Sequence, residues 1–273
     1  MRTRRESRLP VFIGGTAQPY VGLGSVTEGW LVDIVARSLR DCGGEGVPMY
    51  VPRHFVEADE GYVTDFIRKH AFGTLVSWDG QRPVASQLLF NLVGRAGSEK
   101  LLFGHMARSN PQWKSFNDAQ EVLAIFQGPH ACVSAAWYSV QSAPTWNYVT
   151  VQVYGHVQVI EDGEELYREL GHLVASQEGG SPEGEQYNLE SMPADLREGM
   201  MKAIVGFHIR ISRIDCAAKL SQNRSDRDQE HIISKLTERG DASSLSVAKE
   251  MQTRRIEGTP QVESSSPNTD AEP

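Results

Sequence analysis

Apolar and polar residues alternate with period two over two long stretches of the chain. In the first, Val149, Val151, Val153, Val157 and Val159 share one side, and Thr150, Gln152, Tyr154, His156 and Gln158 share the other. In the second, Val205, Phe207, Ile209 and Ile211 oppose Gly206, His208, Arg210 and Ser212. Such alternation predicts strands with one face on a core and the other toward water, a ligand or a partner. Shorter runs carry the same signal. Phe72 to Trp78 is closed by the turn Asp79-Gly80, Arg82 to Leu92 by Gly94-Arg95-Ala96-Gly97, and Lys100 to His105 follows. Glu121 to Gln127 predicts another strand, continuing from His130 to Ser134 after Gly128-Pro129.

Helical spacing separates these runs. Asp59 is a candidate N-cap for a helix with Tyr62, Val63, Phe66, Ile67 and His70 on one face. A capping-box-like start at Asp162-Gly163-Glu164-Glu165 precedes Leu166, Leu170, Leu173 and Val174. Leu196, Met200 and Met201 mark a shorter helix, and a last one starts near Ser225 with Ile232, Ile233 and Leu236 inward. A short helix is expected at Asn110-Pro111, since Asn is a favoured N-cap and Pro suits the first helical position. Tight turns between strands and helices gathered apart from them argue for an α+β, mainly β fold with antiparallel pairing. About six strands favour closure into a barrel, because closure removes exposed edges. Periodicity alone does not separate a barrel from a sandwich.

The patterned region defines the domain plan. Residues 1–48 are glycine-rich, with one helix expected from Thr27 to Arg40 and a linker at Asp41 to Pro48. Residues 49–255 form the expected folded domain, and 256–273 have too little apolar content to fold and are expected to be disordered. The net charge of −8 disfavours wholesale binding to a phosphate backbone. Cys42, Cys132 and Cys216 are far apart and odd in number, and no C-x-x-C or H-E-x-x-H pattern occurs, so neither a disulfide framework nor a metal is expected. No apolar run reaches the roughly 18 residues of a membrane span, and Arg4-Arg5 is followed by no apolar leader segment. The expected compartment is the cytoplasm.

The segment from His105 to Trp113 carries the strongest candidate chemistry. A strand ends at Gly104-His105, Arg108 and Ser109 follow, and a helix is expected to open at Asn110. Free amides of a helix N-terminus, the Arg108 fork and the Ser109 hydroxyl would suit a phosphate, with Trp113 stacking on a ring or packing beneath it. An ordinary strand–turn–helix corner with a surface arginine fits the residues equally well. Ser86 and Gln87 are polar positions in a mostly apolar strand. Pro144 to Tyr148 reads as a packed loop plug, and Lys219 to Arg224 as a solvated connection. His130 and His156 lack metal-ligand spacing, and Gly22-Leu23-Gly24 lacks the context of a dinucleotide fingerprint.

Several stretches in order resemble one family. Met49-Tyr50-Val51-Pro52, Phe72 to Val76, Gly104 to Trp113, Gly128-Pro129-His130, Pro144 to Tyr148, Gly199 to Lys202 and Lys219 to Arg224 are similar to the PaiB-type FMN-binding negative transcriptional regulators. The resemblance implies an antiparallel six-stranded split β-barrel with flanking helices, of the pyridoxamine-phosphate-oxidase-like kind. It also implies a homodimer with FMN in a groove between subunits. Carried onto this sequence, it places Ser86, Gln87, Leu88, His105, Arg108, Ser109, Asn110 and Trp113 at the flavin and its phosphate. Lys219, Gln222 and Asn223 would approach the same groove. Gln87 and Leu89 stand where the family is expected to carry histidine and proline. The implied role is negative transcriptional regulation, with direct DNA contact left open. A flavin-dependent oxidoreductase is the alternative. A haem-binding split barrel, with His105 or His130 as ligand, is a third.

Overall fold

In the computed structural model, the described residues are 49–94, 100–117, 119–178 and 189–257. The helix expected at Thr27–Arg40, the linker after it, the turn residues after Gly94 and the tail beyond residue 257 lie outside them. Six strands are formed: β1 (Phe72–Trp78), β2 (Pro83–Gly94), β3 (Lys100–Ala107), β4 (Glu121–Val133), β5 (Thr145–Val159) and β6 (Ile204–Lys219). Every pairing is antiparallel, and the order β1-β2-β3-β6-β5-β4 closes through β4 onto β1. The barrel left open by periodicity is therefore the fold.

The interior is built by the alternation itself. Leu75, Leu88, Phe90, Leu102, Phe126, Val151, Val153, Phe207 and Ile209 meet there. Phe90 packs edge-to-face with both Phe126 and Phe207, with centroids 5.5 and 6.5 Å apart. Gly104 makes this possible. A Cβ there would lie 2.8 Å from Phe207 Cζ and 3.1 Å from the Phe90 ring. The two stretches expected on β4 are one strand, with a register shift between Gln127 and His130. Gly128 at the shift lies against the Phe66 ring.

The helices are α1 (Glu60–Lys69), α2 (Gly163–Glu178), α3 (Ala194–Lys202), α4 (Asp226–Arg239) and α5 (Ala242–Glu257). Asp59 caps α1 by accepting from Tyr62 N at 2.6 Å, and Ser225 caps α4 by accepting from Asp228 N at 3.2 Å. The single last helix read from sequence is a pair. Gly240, at φ +75°, ends α4 in the left-handed conformation that glycine adopts at little cost, and α5 turns back to pack Val247, Ala248 and Met251 inward. Small residues and serines blur the α5 stripe.

The short helix at Asn110 is also different from expectation. It is a 3₁₀ turn, Pro111–Ser115, with Asn110 Oδ1 accepting from Gln112 N at 3.0 Å. Five residues in 3₁₀ geometry build little dipole, so the anion attraction expected of a helix N-terminus is not supplied here. A second difference concerns β6, whose Gly206 and His208 are buried. Their outward face is covered by α2, not left to water or a partner. Phe103 of β3 packs there with Leu166, Leu170 and Leu173, forming a second, smaller core.

Candidate functional site

The outer face of β2 and β3 beside α2 and α3 holds Gln87 and His105 of the expected site, with the Arg108–Asn110 turn following β3. Strand alternation sorts its members. Leu88 turns into the core, so its side chain serves packing, while Gln87 faces outward and donates from Nε2 to Thr74 Oγ1 at 2.8 Å. On β3, Met106 is in the core and His105 points outward. His105 lines a cavity of about 340 Å³ with Leu89, Leu170, Leu173, Met200, Met201 and Ile204. The lining is mostly apolar, with Gln177, Glu178 and Arg197 also contributing, and burial pushes the His105 imidazole below its ordinary pKa. Its Nδ1 is buried and makes no hydrogen bond among the described residues. Apolar walls with one unsatisfied ring nitrogen suit a flat heteroaromatic ring with polar edges. An isoalloxazine is such a ring.

The following turn is held by its own hydrogen bonds. Arg108 N donates to Ala203 O at 2.8 Å, while Nε and Nη2 of the same residue donate to Lys202 O at 2.9 Å and Ile204 O at 2.8 Å. The guanidinium thus caps the C-terminus of α3 and ties it to the start of β6. Its Nη1 has no protein acceptor among the described residues. Ser109 is exposed. Asn110 Nδ2 donates to Ser86 Oγ at 2.9 Å, which joins two expected site residues but uses both ends of the carboxamide. Trp113 donates from Nε1 to Arg108 O at 3.0 Å and packs on the barrel core. Gln112 went unnoticed as an anchor. It is buried, and its Nε2 reaches Ser77 Oγ at 3.0 Å and the carbonyls of Leu75 and Val84 at 3.3 Å.

Lys219, Gln222 and Asn223 lie elsewhere. Ile204 pairs with Ala107 at one end of the 16-residue β6, and Lys219 pairs with Tyr148 at the other. That is roughly 50 Å of strand. Lys219 Nζ donates to Thr145 Oγ1 at 2.7 Å, and burial lowers its pKa. Gln222 is turned inward, accepting from Leu220 N at 2.7 Å, and Asn223 is exposed. Buried Asn147 accepts from Ser221 Oγ at 3.0 Å, which fixes this corner with Ser221 at φ +64°. One group was missed in the sequence altogether: Glu165 and Glu169 of α2 with His208 of β6. The signal was available, since Glu165, Glu169 and His172 recur at i, i+4 and i+7.

The described fold is a closed antiparallel barrel with a largely apolar, histidine-bearing cavity on its outer face. A family model described as "Putative FMN-binding domain" matches residues 49–213. "Protease synthase and sporulation protein PAI 2" of Bacillus subtilis is 32% identical over 206 residues, spanning 76% of this chain and 98% of that protein. "Uncharacterized protein YKL070W" of Saccharomyces cerevisiae is 29% identical over 161 residues, covering 50% of this chain and 95% of that one. Among solved structures, the FAD and haem binding protein from Mycobacterium smegmatis superposes with a TM-score of 0.46 at 16% identity, over 66% of this chain and 79% of its own. The chain belongs to the PaiB-type family of FMN-binding split barrels, and FMN is its cofactor.

Proposed function

We propose that this chain works as a cytoplasmic homodimer that binds FMN between its subunits and acts as a negative transcriptional regulator. The observation carrying the shared site is the separation along β6. The Ser86–Trp113 group and the Lys219–Asn223 group sit at its two ends, so one chain cannot close both on one flavin, whereas a two-fold partner can. Exposed Leu196 and Met200 on α3, beside the His105 cavity, offer apolar surface to such a partner. In this reading the ring lies against His105 and Gln87, and the phosphate meets Arg108 Nη1 and the Ser109 hydroxyl. Lys219 and Asn223 come from the partner subunit. FMN supplies any redox chemistry, and the protein supplies orientation and exclusion of water.

The regulatory role rests on the resemblance to the PaiB-type negative transcriptional regulators, and the Bacillus relative is named for protease synthase and sporulation. The charge of −8 favours regulation through a partner or metabolite over tight contact with DNA. Mixing tests the shared site. Arg108→Ala and Lys219→Ala should each weaken FMN binding, and a heterodimer of the two should regain one intact site per dimer. Light scattering should give twice the 30.3 kDa chain mass. A monomer, or no recovery on mixing, overturns the shared groove. A gel shift at physiological salt tests direct DNA contact, with no retardation by the flavoprotein alone expected.

A further inference from the structure

A second cluster lies under the same helix, separated from the flavin cavity by Phe103. Glu165 and Glu169 project one turn apart from α2 toward His208 of β6. His208 Nδ1 lies 4.0 Å from Glu165 Oε1, and its Nε2 lies 3.8 Å from Glu169 Oε1. Those distances exceed the 2.7–3.2 Å of a direct N–H···O bond. Only one ring nitrogen of His208 can ligate a given cation, and the other then faces a neighbouring carboxylate. One ligand atom from each of the three residues lies within 4.8 Å of the others.

Burial raises the stakes. Glu169 is 4% exposed, and its Oε2 accepts no hydrogen bond among the described residues. A carboxylate taken out of water without donors is costly unless a cation meets it. His172, one turn further along α2, brings Nδ1 to 3.8 Å from that same Oε2. Beside the cluster opens a polar cavity of about 700 Å³, lined by Glu165 and His208 together with Asn117, Asp162 and Arg210. A cation held here would keep a coordination position facing that cavity.

We propose that Glu165, Glu169 and His208 form a divalent transition-metal site of the zinc type. The mixed nitrogen and oxygen donors select a borderline ion over magnesium or calcium, which prefer oxygen alone. The site is independent of the flavin reading, because it uses none of the residues assigned to FMN.

The test uses the full, untagged chain stripped with EDTA. Zinc chloride is titrated against a chromophoric chelator, and Co²⁺ substitution reports coordination by its visible bands. One Zn²⁺ per chain with micromolar or tighter affinity is expected, unaffected by millimolar Mg²⁺. Glu169→Gln and the more exposed Glu165→Gln should each weaken it at least about 10-fold. Both should leave FMN affinity within about two-fold, and that retained FMN binding reports that the variants are folded. Affinity weaker than about 100 μM in the parent overturns the site. So does zinc binding that is undiminished in the folded glutamine variants, which would place the ion on surface histidines.

Discussion

Arg108 has two jobs in this account, and substitution separates them. Its Nε and Nη2 hold Lys202 O and Ile204 O at 2.9 and 2.8 Å at an exposed position. Losing such bonds at the surface costs on the order of 1 kcal/mol in stability. Its Nη1 is assigned to the FMN phosphate, and a charge-assisted bond to an ionised group is worth about 1.5–3 kcal/mol. Arg108→Ala should therefore lower FMN affinity roughly 10- to 100-fold. Arg108→Lys should recover only part, because an ammonium keeps the charge but cannot span two carbonyls and an anion at once. Riboflavin has no phosphate, so its affinity should fall much less, and only through loosening of α3. Fluorescence titration of the apo-protein measures all six affinities, of parent and both variants for both flavins, and thermal melts report the capping role separately. Equal losses for FMN and riboflavin, or none for either, would refute the phosphate assignment and leave Arg108 as the cap of α3.

Two glycines should respond in opposite directions. A Cβ at Gly155 would collide with Arg210 O across the β5–β6 bulge, so Gly155→Ala should cost about 1–3 kcal/mol, whereas Gly171, with nothing within 4 Å inside α2, should gain about 0.5–1 kcal/mol as alanine. Burial lowers the His105 pKa, so the unfolded chain binds a proton that the folded chain refuses. The stability this neutral imidazole allows is present above the unfolded value of about 6.5 and is lost as pH falls toward the folded one, and His105→Leu should flatten that part of a melting-temperature profile. A chain beginning at Met49, whose backbone N donates to Asp215 Oδ2 at 3.1 Å, should keep its flavin, and a loss would show that residues 1–48 support the site.

Alternation made the barrel strands legible because each has one face in the core. The bounds of β1 were readable to the residue, since Phe72 and Trp78 are followed by clear turn chemistry. What alternation could not show is which outward faces are covered again. His208 and Gly206 look solvent-facing in the sequence, yet α2, over 25 residues earlier, lies on them. The site was legible as a segment, Gly104 to Trp113, but not in its internal bonding. The sequence cannot tell that Asn110 spends its carboxamide on Ser86 and Gln112, or that Arg108 reaches a helix more than 90 residues away. Only the strand register reveals that Lys219 lies at the far end of β6.

The proposed FMN site lies on the outer face of β2 and β3 and is completed by the far end of β6 from a second copy. A crystal structure of the protein grown with FMN tests it most directly. The account predicts one flavin per chain, its ring against His105 and its phosphate at Arg108 and Ser109, with a partner subunit's Lys219 in the same groove. Flavin bound away from the His105 cavity, or enclosed by a single chain, would contradict it.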